Sequence, residues 1–367
     1  MPQKILILGA GCSGIAVAIS LSLKGFEVCL VERGSIKRTD LKIGESLPPD
    51  AQQVLSELGV WEDFQNAGHL KYYGNKSLWG SPEASYTDFI HHPVGHGWHI
   101  DRSVFETMLL EKAKNLGVEI LENSSLSAAA FDGSHWDLKL QNEGKEILKN
   151  GYAFLIDASG RNSWLARKLG IERLYENQQL ALVTFLKTNA PFEDTTSLIE
   201  TTPEGWWYST KIPGERIATA FLCKPEKSKR ELWGKPEEWW TLVNKAPHTA
   251  DRINGVKAQL LEPPRFVPAD SSILEEVYGE GWVAVGDAAM TYDPISSHGI
   301  LMAMVSARDA SKAIQQYLKG HEDALENYQA LLWAAFQHYT QQRTQFYKSE
   351  RRYKDAAYWQ NEPKPVY

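Results

Sequence analysis

Cysteine is scarce in this chain: Cys12, Cys29 and Cys223 are scattered and odd in number, so neither a disulfide framework nor a cysteine-built zinc site is expected. Long apolar runs are missing too, and no stretch reaches the length that spans a bilayer. Internal repeats, low-complexity tracts and blocks of like charge are absent, and a net charge of −7 offers no basic face to a polyanion. Neither nucleic acid nor a membrane is therefore expected as a partner. The first strand begins almost at Met1, which leaves no room for a basic leader with a cleavage site, and the expected location is cytoplasmic. The 367 residues suffice for two cores, or for one large core with an inserted lobe. The one excess is aromatic: 13 tryptophans, several of them mid-chain, suggest an aromatic-lined cavity.

Residues 4–32, KILILGAGCSGIAVAISLSLKGFEVCLVE, read as strand, glycine turn, helix and second strand ending in an acid. Gly9, Gly11 and Gly14 complete GxGxxG directly after the apolar run 5–8. Gly9 suits the tight turn, Gly11 the close approach of a pyrophosphate, and Gly14 the close packing of helix on strand. The helix N-terminus offers free N–H groups to phosphate. Glu32 lies 18 residues beyond Gly14, where a carboxylate accepts from ribose hydroxyls. The pattern implies an adenine dinucleotide and leaves open whether it is NAD or FAD.

Further along, a polar loop at 33–42, with Arg33 at its start, is expected to face the cofactor, and prolines 48 and 49 help to start a helix at 51–59. Residues 69–90 alternate aromatic and polar around Gly80-Ser81-Pro82, an antiparallel pair. Residues 96–120 give strand, helix and strand; 126–147 give a small meander with a turn at Asp132-Gly133. Strands dominate 178–263, with a helical insertion near 236–245. Two long periodic helices follow, at 300–318 and 321–353, and the tail from Tyr358 is expected to drape over the surface.

Two later motifs, FLIDASGRNSWLARKLG with Asp157 and Arg161, and GWVAVGDAAMTYDPISSHGI with Asp287, again read as strand, acid with small residues, then helix. Asp287 is placed to bond a ribityl hydroxyl, and helix N-capping is open to it as well. In this order and spacing the three motifs resemble the FAD-dependent aromatic hydroxylase and halogenase superfamily across nearly the whole chain. The resemblance implies an α/β fold, α+β overall, like that of para-hydroxybenzoate hydroxylase: a Rossmann-like FAD-binding domain (1–68, 97–177 and 264–320), an antiparallel-sheet substrate domain (69–96 and 178–263), and a C-terminal helical region (321–367). FAD and O2 are the implied cofactor and co-substrate, with reduction by NAD(P)H directly or through a separate flavin reductase.

GESLPPD, GHLKYYGNKSLWG, WHIDRSVFETMLL and GWWYSTKIPG narrow the resemblance to flavin-dependent halogenases and their hydroxylating relatives. Lys71 matches the lysine with which halogenases present halogen to substrate; a substrate-bonding cation or a surface lysine are the other readings. Two departures argue against halogenation. Trp206, Trp207 and Tyr208 are separated from Ile212-Pro213, and His298 interrupts Ser296-Ser297 and Gly299. DPISSHG looks more like the hydroxylating and reducing members. Pro294 would set the entry of the loop, Gly299 and Ile300 at the start of the helix would aim free N–H groups at the flavin, Arg102 would meet flavin phosphate or Glu45, and His298 would serve as proton shuttle or as a structural histidine. Trp206, Tyr208 and Ser297 are expected in the substrate cavity. His91, His92, His96 and His99 lack metal-ligand spacing, and no metal is expected. The chain looks most like the flavoprotein maturases of cysteine tryptophylquinone amino-acid oxidases, of glycine oxidase and lysine oxidase type. That implies oxygenation of a tryptophan in an oxidase precursor. A halogenase of a small aromatic molecule, an isoprenoid reductase and a non-catalytic flavoprotein chaperone are the alternatives.

Overall fold

The computed structural model describes residues 2–37 and 41–360. Its central layer is a six-stranded sheet in the order Tyr278–Gly279, Trp282–Ala284, Phe154–Asp157, Lys4–Leu8, Glu27–Val31, Glu119–Leu121. All neighbours are parallel except the Tyr278 edge. Both faces are covered, which is why Ile5, Leu6 and Ile7 are apolar without alternation and fully buried. The helix Cys12–Ser22 is buried from Cys12 to Leu21 because Gly299–Tyr317 packs on one flank and Arg102–Asn115 on another. The meander Ser124–Phe131, Trp136–Asn142, Lys145–Tyr152 turns at Gly133 (φ +95°), where the Asp132 carboxylate accepts from the N–H groups of Ser134 and His135.

A second sheet runs Gln259–Leu260, Leu180–Lys187, Arg216–Cys223, Gly205–Ile212, Ser197–Thr202, Gly74–Leu78, Ser85–Asp88, with Arg265–Pro268 also on Leu180–Lys187. Its one parallel pair joins Ser197–Thr202 to Gly74–Leu78. Strand alternation splits its tryptophans. Trp207 stacks on Phe221 at 4.8 Å and meets Trp239 beneath three helices, Lys227–Trp233, Pro236–Val243 and Pro247–Gly255, where the sequence suggested one insertion. Trp206 turns to the other face. Trp206, Trp207, Trp233 and Trp239 thus build cores, and of the mid-chain tryptophans it is Trp164 that lines a cavity, which corrects much of the expectation drawn from their number.

The strand Leu70–Tyr72 joins neither large sheet. It pairs with Gly97–His99, which pairs with Ser46–Leu47, and this small sheet bridges the two layers. At its centre the Tyr72 ring stacks on His99 at 4.0 Å, and His99 shares hydrogen bonds with Ser197 and Thr210, both at 3.1 Å. Burial, then Arg252, pushes the His99 pKa down to about 3, so the ring is neutral. With a folded pKa below the unfolded one, its stabilising contribution is complete above the usual histidine value of 6.5 and is lost as pH falls towards 3. Unfolding midpoints measured between these limits are expected to drop with acidification, and His99→Gln is expected to remove about one proton from the uptake on unfolding.

The C-terminal helix Asp323–Ser349 seats Leu325, Tyr328, Leu332 and Phe336 on the first layer. Over its described residues, 358–360, the tail packs into the protein instead of draping over the surface. Ala357–Gln360 is a short helix with Tyr358 buried; the Tyr358 hydroxyl donates to Gln179 Oε1 (3.1 Å), and Trp359 Nε1 donates to the Thr202 carbonyl (2.8 Å). The reason is an apolar slot between Trp79, Trp206 and Tyr347 that two aromatic rings fill, Tyr358 alone contributing about 2 kcal/mol. Residues 361–367, with the two prolines of the expected tail, lie outside the described residues, as do 38–40 in the loop after Arg33.

Candidate active site

The three motifs meet because only glycine fits at their contacts. A Cβ on Gly9 (φ +104°) would lie 2.4 Å from the Ala158 carbonyl oxygen, so the first turn is pressed against the second motif. A Cβ on Gly14 would lie 1.9 Å from the Gly9 carbonyl oxygen. Gly286 (φ +58°) packs on Ser13, where a Cβ would come within 2.5 Å of the side chain, and this brings Asp287 beside the first helix. Gly11 differs: a Cβ there meets nothing within 4 Å.

The open space at Gly11 belongs to a cavity of about 640 Å³ that runs from Gly9, Glu32 and Arg33 past Arg102, Arg161 and Asp287 to Tyr208, Pro294, Ser297, Gly299 and Ile300. Two helices of 11 and 19 residues start at its wall. Gly11 and His298 are their N-caps, neither side chain caps the helix, and neither first turn carries an acid. Unpaired N–H groups and the positive dipole ends are therefore left for an anionic ligand.

Charge along the wall is paired but not spent. The Glu32 carboxylate accepts from Ala10 N (2.8 Å) and Gly34 N (3.1 Å) at the rim. Arg161 donates to Asp270 (3.1 Å) and faces Asp287 at 3.7 Å. Enclosure raises the Asp287 pKa, and Arg161, Arg173 and Arg102 oppose that rise. Arg102 donates to the carbonyls of Ile43 and Gly44, both at 3.0 Å, and to Glu106 at 2.6 Å. Burial acts against its charge, but Cys12 and Glu106 outweigh it and raise the pKa. Glu106 also takes Lys42 at 2.8 Å; burial alone would raise its pKa, and the two cations hold it below the usual carboxylate value. The Cys12 thiol, against the same arginine, is pushed up to about 11 by burial and stays neutral. At the far end, Ser46 Oγ and Tyr208 Oη lie 2.8 Å apart, and the buried Glu45 carboxyl accepts from Gly44 N (2.8 Å) and bonds Tyr208. Burial raises the Glu45 pKa, which those bonds and Arg102 moderate.

Five expected residues lie outside the cavity; Gly14 is one, since it packs on the Gly9 carbonyl behind the wall. Lys71 is exposed, its backbone paired with Trp98; alternation turns Tyr72 inward and Lys71 out towards His96. His298 is exposed, with its ring bonded to the carbonyl of Ser296. Trp206 is sealed under the C-terminal helices, its Nε1 donating to Tyr347 Oη at 2.9 Å. Asp157 is fully buried behind the wall, accepting from Ser159 N (3.0 Å), Ser159 Oγ (2.6 Å) and Leu165 N (2.8 Å), so it holds the second motif together rather than facing ligand. Three of the four clustered histidines diverge as well: His92 pairs with Asp50, His96 packs on Trp98, and His99 is in the bridging sheet.

The sequence did not single out Lys42, Ser46, Tyr292 or Asp293. Asp293 had a signal, an acid directly before proline in DPISSHG; Lys42 and Ser46 had only their nearness to Glu45. Tyr292 and Arg102 supply the test of fit for a flavin dinucleotide. The Tyr292 hydroxyl and Arg102 Nε are buried at the cavity without a hydrogen-bond partner among the described residues, donors that phosphate or carbonyl oxygens would satisfy. With the space at Gly11 and the two uncapped helix ends, the donor set fits that ligand.

Comparison with known proteins agrees with this geometry. A family model described as an FAD binding domain matches residues 3–342. LodB of Marinomonas mediterranea, described as an FAD-dependent oxidoreductase, is 26% identical over 97% of this chain and 95% of its own length. The tryptophan 2-halogenase of Chondromyces crocatus is 28% identical over 97% of this chain and 70% of its own. Among solved structures, the flavin-dependent halogenase CmlS superposes with a TM-score of 0.90 at 24% identity, over 100% of this chain and 68% of that one. QhpG, described as a peptidyl tryptophan dihydroxylase essential for tryptophylquinone cofactor biogenesis, gives 0.77 at 20% identity, over 99% and 79%. At those identities the two structures speak for the fold alone.

Proposed function

Since the chain belongs to the FAD-binding domain family and is an FAD-dependent enzyme of the oxidoreductase and halogenase type, we propose that it hydroxylates an indole ring, that of a tryptophan side chain in the precursor of a partner oxidase. Gly9, Gly11, Gly14, Glu32 and Arg33 would hold the ADP end, with Arg161 and Asp287 at the ribityl chain. Glu45, Arg102, Pro294, Ser297 and the N–H groups of Gly299 and Ile300 would surround the ring system. Bound FAD, once reduced, supplies the two electrons with which O2 is split between a ring hydroxyl and water. The protein's part is to orient the indole and exclude water. Ala181, Ala220 and Val267 give the far end an apolar floor, and Tyr208 with Ser46 gives it one polar edge.

The observation that carries hydroxylation over halogen transfer is the outward turn of Lys71. Lys42, the lysine among the cavity's lining residues, is bound to Glu106. A halogenase reading keeps the support of the likeness to halogenases, the tryptophan 2-halogenase among them, which matches over 97% of this chain and 70% of its own length. Lys71→Ala is expected to leave turnover within about twofold, since an exposed surface lysine contributes little. The discriminating assay supplies purified protein with reduced FAD, O2, bromide and an indole: oxygenated product that survives Lys71→Ala supports the proposal, and brominated product lost in that variant contradicts it. Co-expression with an oxidase precursor then tests the protein substrate, whose tryptophan peptide should gain the mass of one or two oxygen atoms.

A further inference from the structure

Behind the cavity wall lies a charged pair that the glycine motifs do not use. Arg343, in the middle of the C-terminal helix, donates from Nε to Asp293 Oδ2 at 2.8 Å, with side chains 3% and 0% exposed. Tyr347 Oη donates to the same oxygen at 2.8 Å, and the Arg343 guanidinium lies 4.2 Å over the Tyr347 ring. The other oxygen, Oδ1, accepts from Ile295 N at 2.9 Å and caps the single turn Pro294–Ser296. Asp293 N donates to Tyr339 Oη at 2.6 Å. One carboxylate thus faces two ways: towards the C-terminal helix and into the turn that ends in Ser297 (φ +51°) and launches the Gly299–Tyr317 helix.

A buried ion pair is poor value as a fastener, because apolar side chains of similar size hold a helix at least as well. The helix is already seated by Leu325, Tyr328, Leu332 and Phe336. What the pair adds is direction: the N–H groups of Ile295, Ser296, Ser297 and His298 are spent inside the turn, and a carboxylate gripped by Arg343 and Tyr347 holds that turn so that it fixes where the N–H groups of Gly299 and Ile300, at the start of the helix, point. Asp293, Pro294, Ser297 and Gly299 all line the cavity. N–H groups and a helix dipole held at a fixed angle favour an anion more than a neutral ligand, and reduction adds negative charge to the bound flavin.

We propose that Arg343 and Tyr347 are positioning residues that act through Asp293 to make this turn favour reduced over oxidised FAD. The inference rests on FAD binding by this fold and not on the substrate reading. It is tested by titrating oxidised FAD, and FAD reduced under anaerobic conditions, into Arg343→Met, Arg343→Lys and Tyr347→Phe proteins. Glu350→Gln serves as a control: Glu350 ties the same C-terminal region to Gly80 N and Thr201 Oγ1, away from the turn. Unfolding midpoints are followed in parallel. Arg343→Met is expected to weaken reduced FAD about tenfold more than oxidised FAD, Tyr347→Phe about threefold more, with partial rescue in Arg343→Lys. Glu350→Gln should leave the ratio of the two affinities unchanged. Equal weakening of both redox forms, or the same change of ratio in Glu350→Gln, would overturn the proposal. Should Arg343→Met fail to fold, Tyr347→Phe decides alone, and an unchanged ratio in that variant has the same force.

Discussion

Gly14→Ala is expected to abolish FAD binding and to destabilise the protein, although alanine is the better helix former by about 1 kcal/mol. The added methyl would sit 1.9 Å from the Gly9 carbonyl oxygen and 3.2 Å from the Ala158 side chain. Gly9 cannot yield, because its own missing Cβ is what lets it rest on Ala158. Relief requires the first helix to move off the sheet, at a cost of about 1–3 kcal/mol or more, and the helix carries the N–H groups offered to the cofactor. Gly11→Ala separates the two effects, since its methyl meets no protein atom within 4 Å. Thermal unfolding of that variant should stay near the parent value while an FAD titration shows weakened binding. A fall in the unfolding midpoint as large as that of Gly14→Ala would mean that Gly11 is needed for the fold and not for ligand approach.

Arg161→Ala should weaken FAD by about 30- to 150-fold, the loss expected when a hydrogen-bonded charge of roughly 2–3 kcal/mol is removed from an enclosed site. Arg161 stands between Asp270 and Asp287, and it is the largest influence opposing the raised pKa of Asp287. Without it the Asp270 and Asp287 carboxylates lose the cation between them, and Arg173, the next-largest influence opposing the raised pKa of Asp287, is occupied with Ser163 and the carbonyls of Asp287 and Ala288. Isothermal titration with FAD checks the size of the loss. Arg161→Lys should recover only part of it, because a point charge does not replace the guanidinium that bonds both the Asp270 carbonyl and its carboxylate.

The parts of the fold set by short-range pattern were legible in the sequence. The unbroken apolar runs at 5–8 and 154–156, the glycine turn, and the succession of strands through 178–263 each report a local burial regime, and the sheets follow them. The cofactor end of the site was legible for the same reason, because its glycines and acids act through backbone geometry at fixed spacing. What stayed hidden depends on which face of a strand looks inward. Lys71 and Tyr72 exchange roles on a shift of one residue, and only the pairing of Leu70–Tyr72 with Gly97–His99 decides between them. Trp206 and Tyr208 lie on one face of one strand, yet the C-terminal helices cover the first and leave the second on the cavity. Arg343 carried no signal at all: an arginine inside a polar helix reads as solvated, and its partner is 50 residues away in sequence. The start of the tail differs from the expected surface path because Tyr358 and Trp359 are docking groups, a role their place just ahead of the prolines did not suggest.

The most direct test of the central claim is the mass of the tryptophan-bearing peptide from a co-expressed oxidase precursor, made under dioxygen of the heavy oxygen isotope and with bromide present. Oxygenation by this enzyme predicts a peptide that gains one or two heavy oxygen atoms only when the chain is co-expressed, and that loses them with Arg161→Ala but keeps them with Lys71→Ala. A peptide of unchanged mass, or one carrying the isotope doublet of bromine, would contradict it.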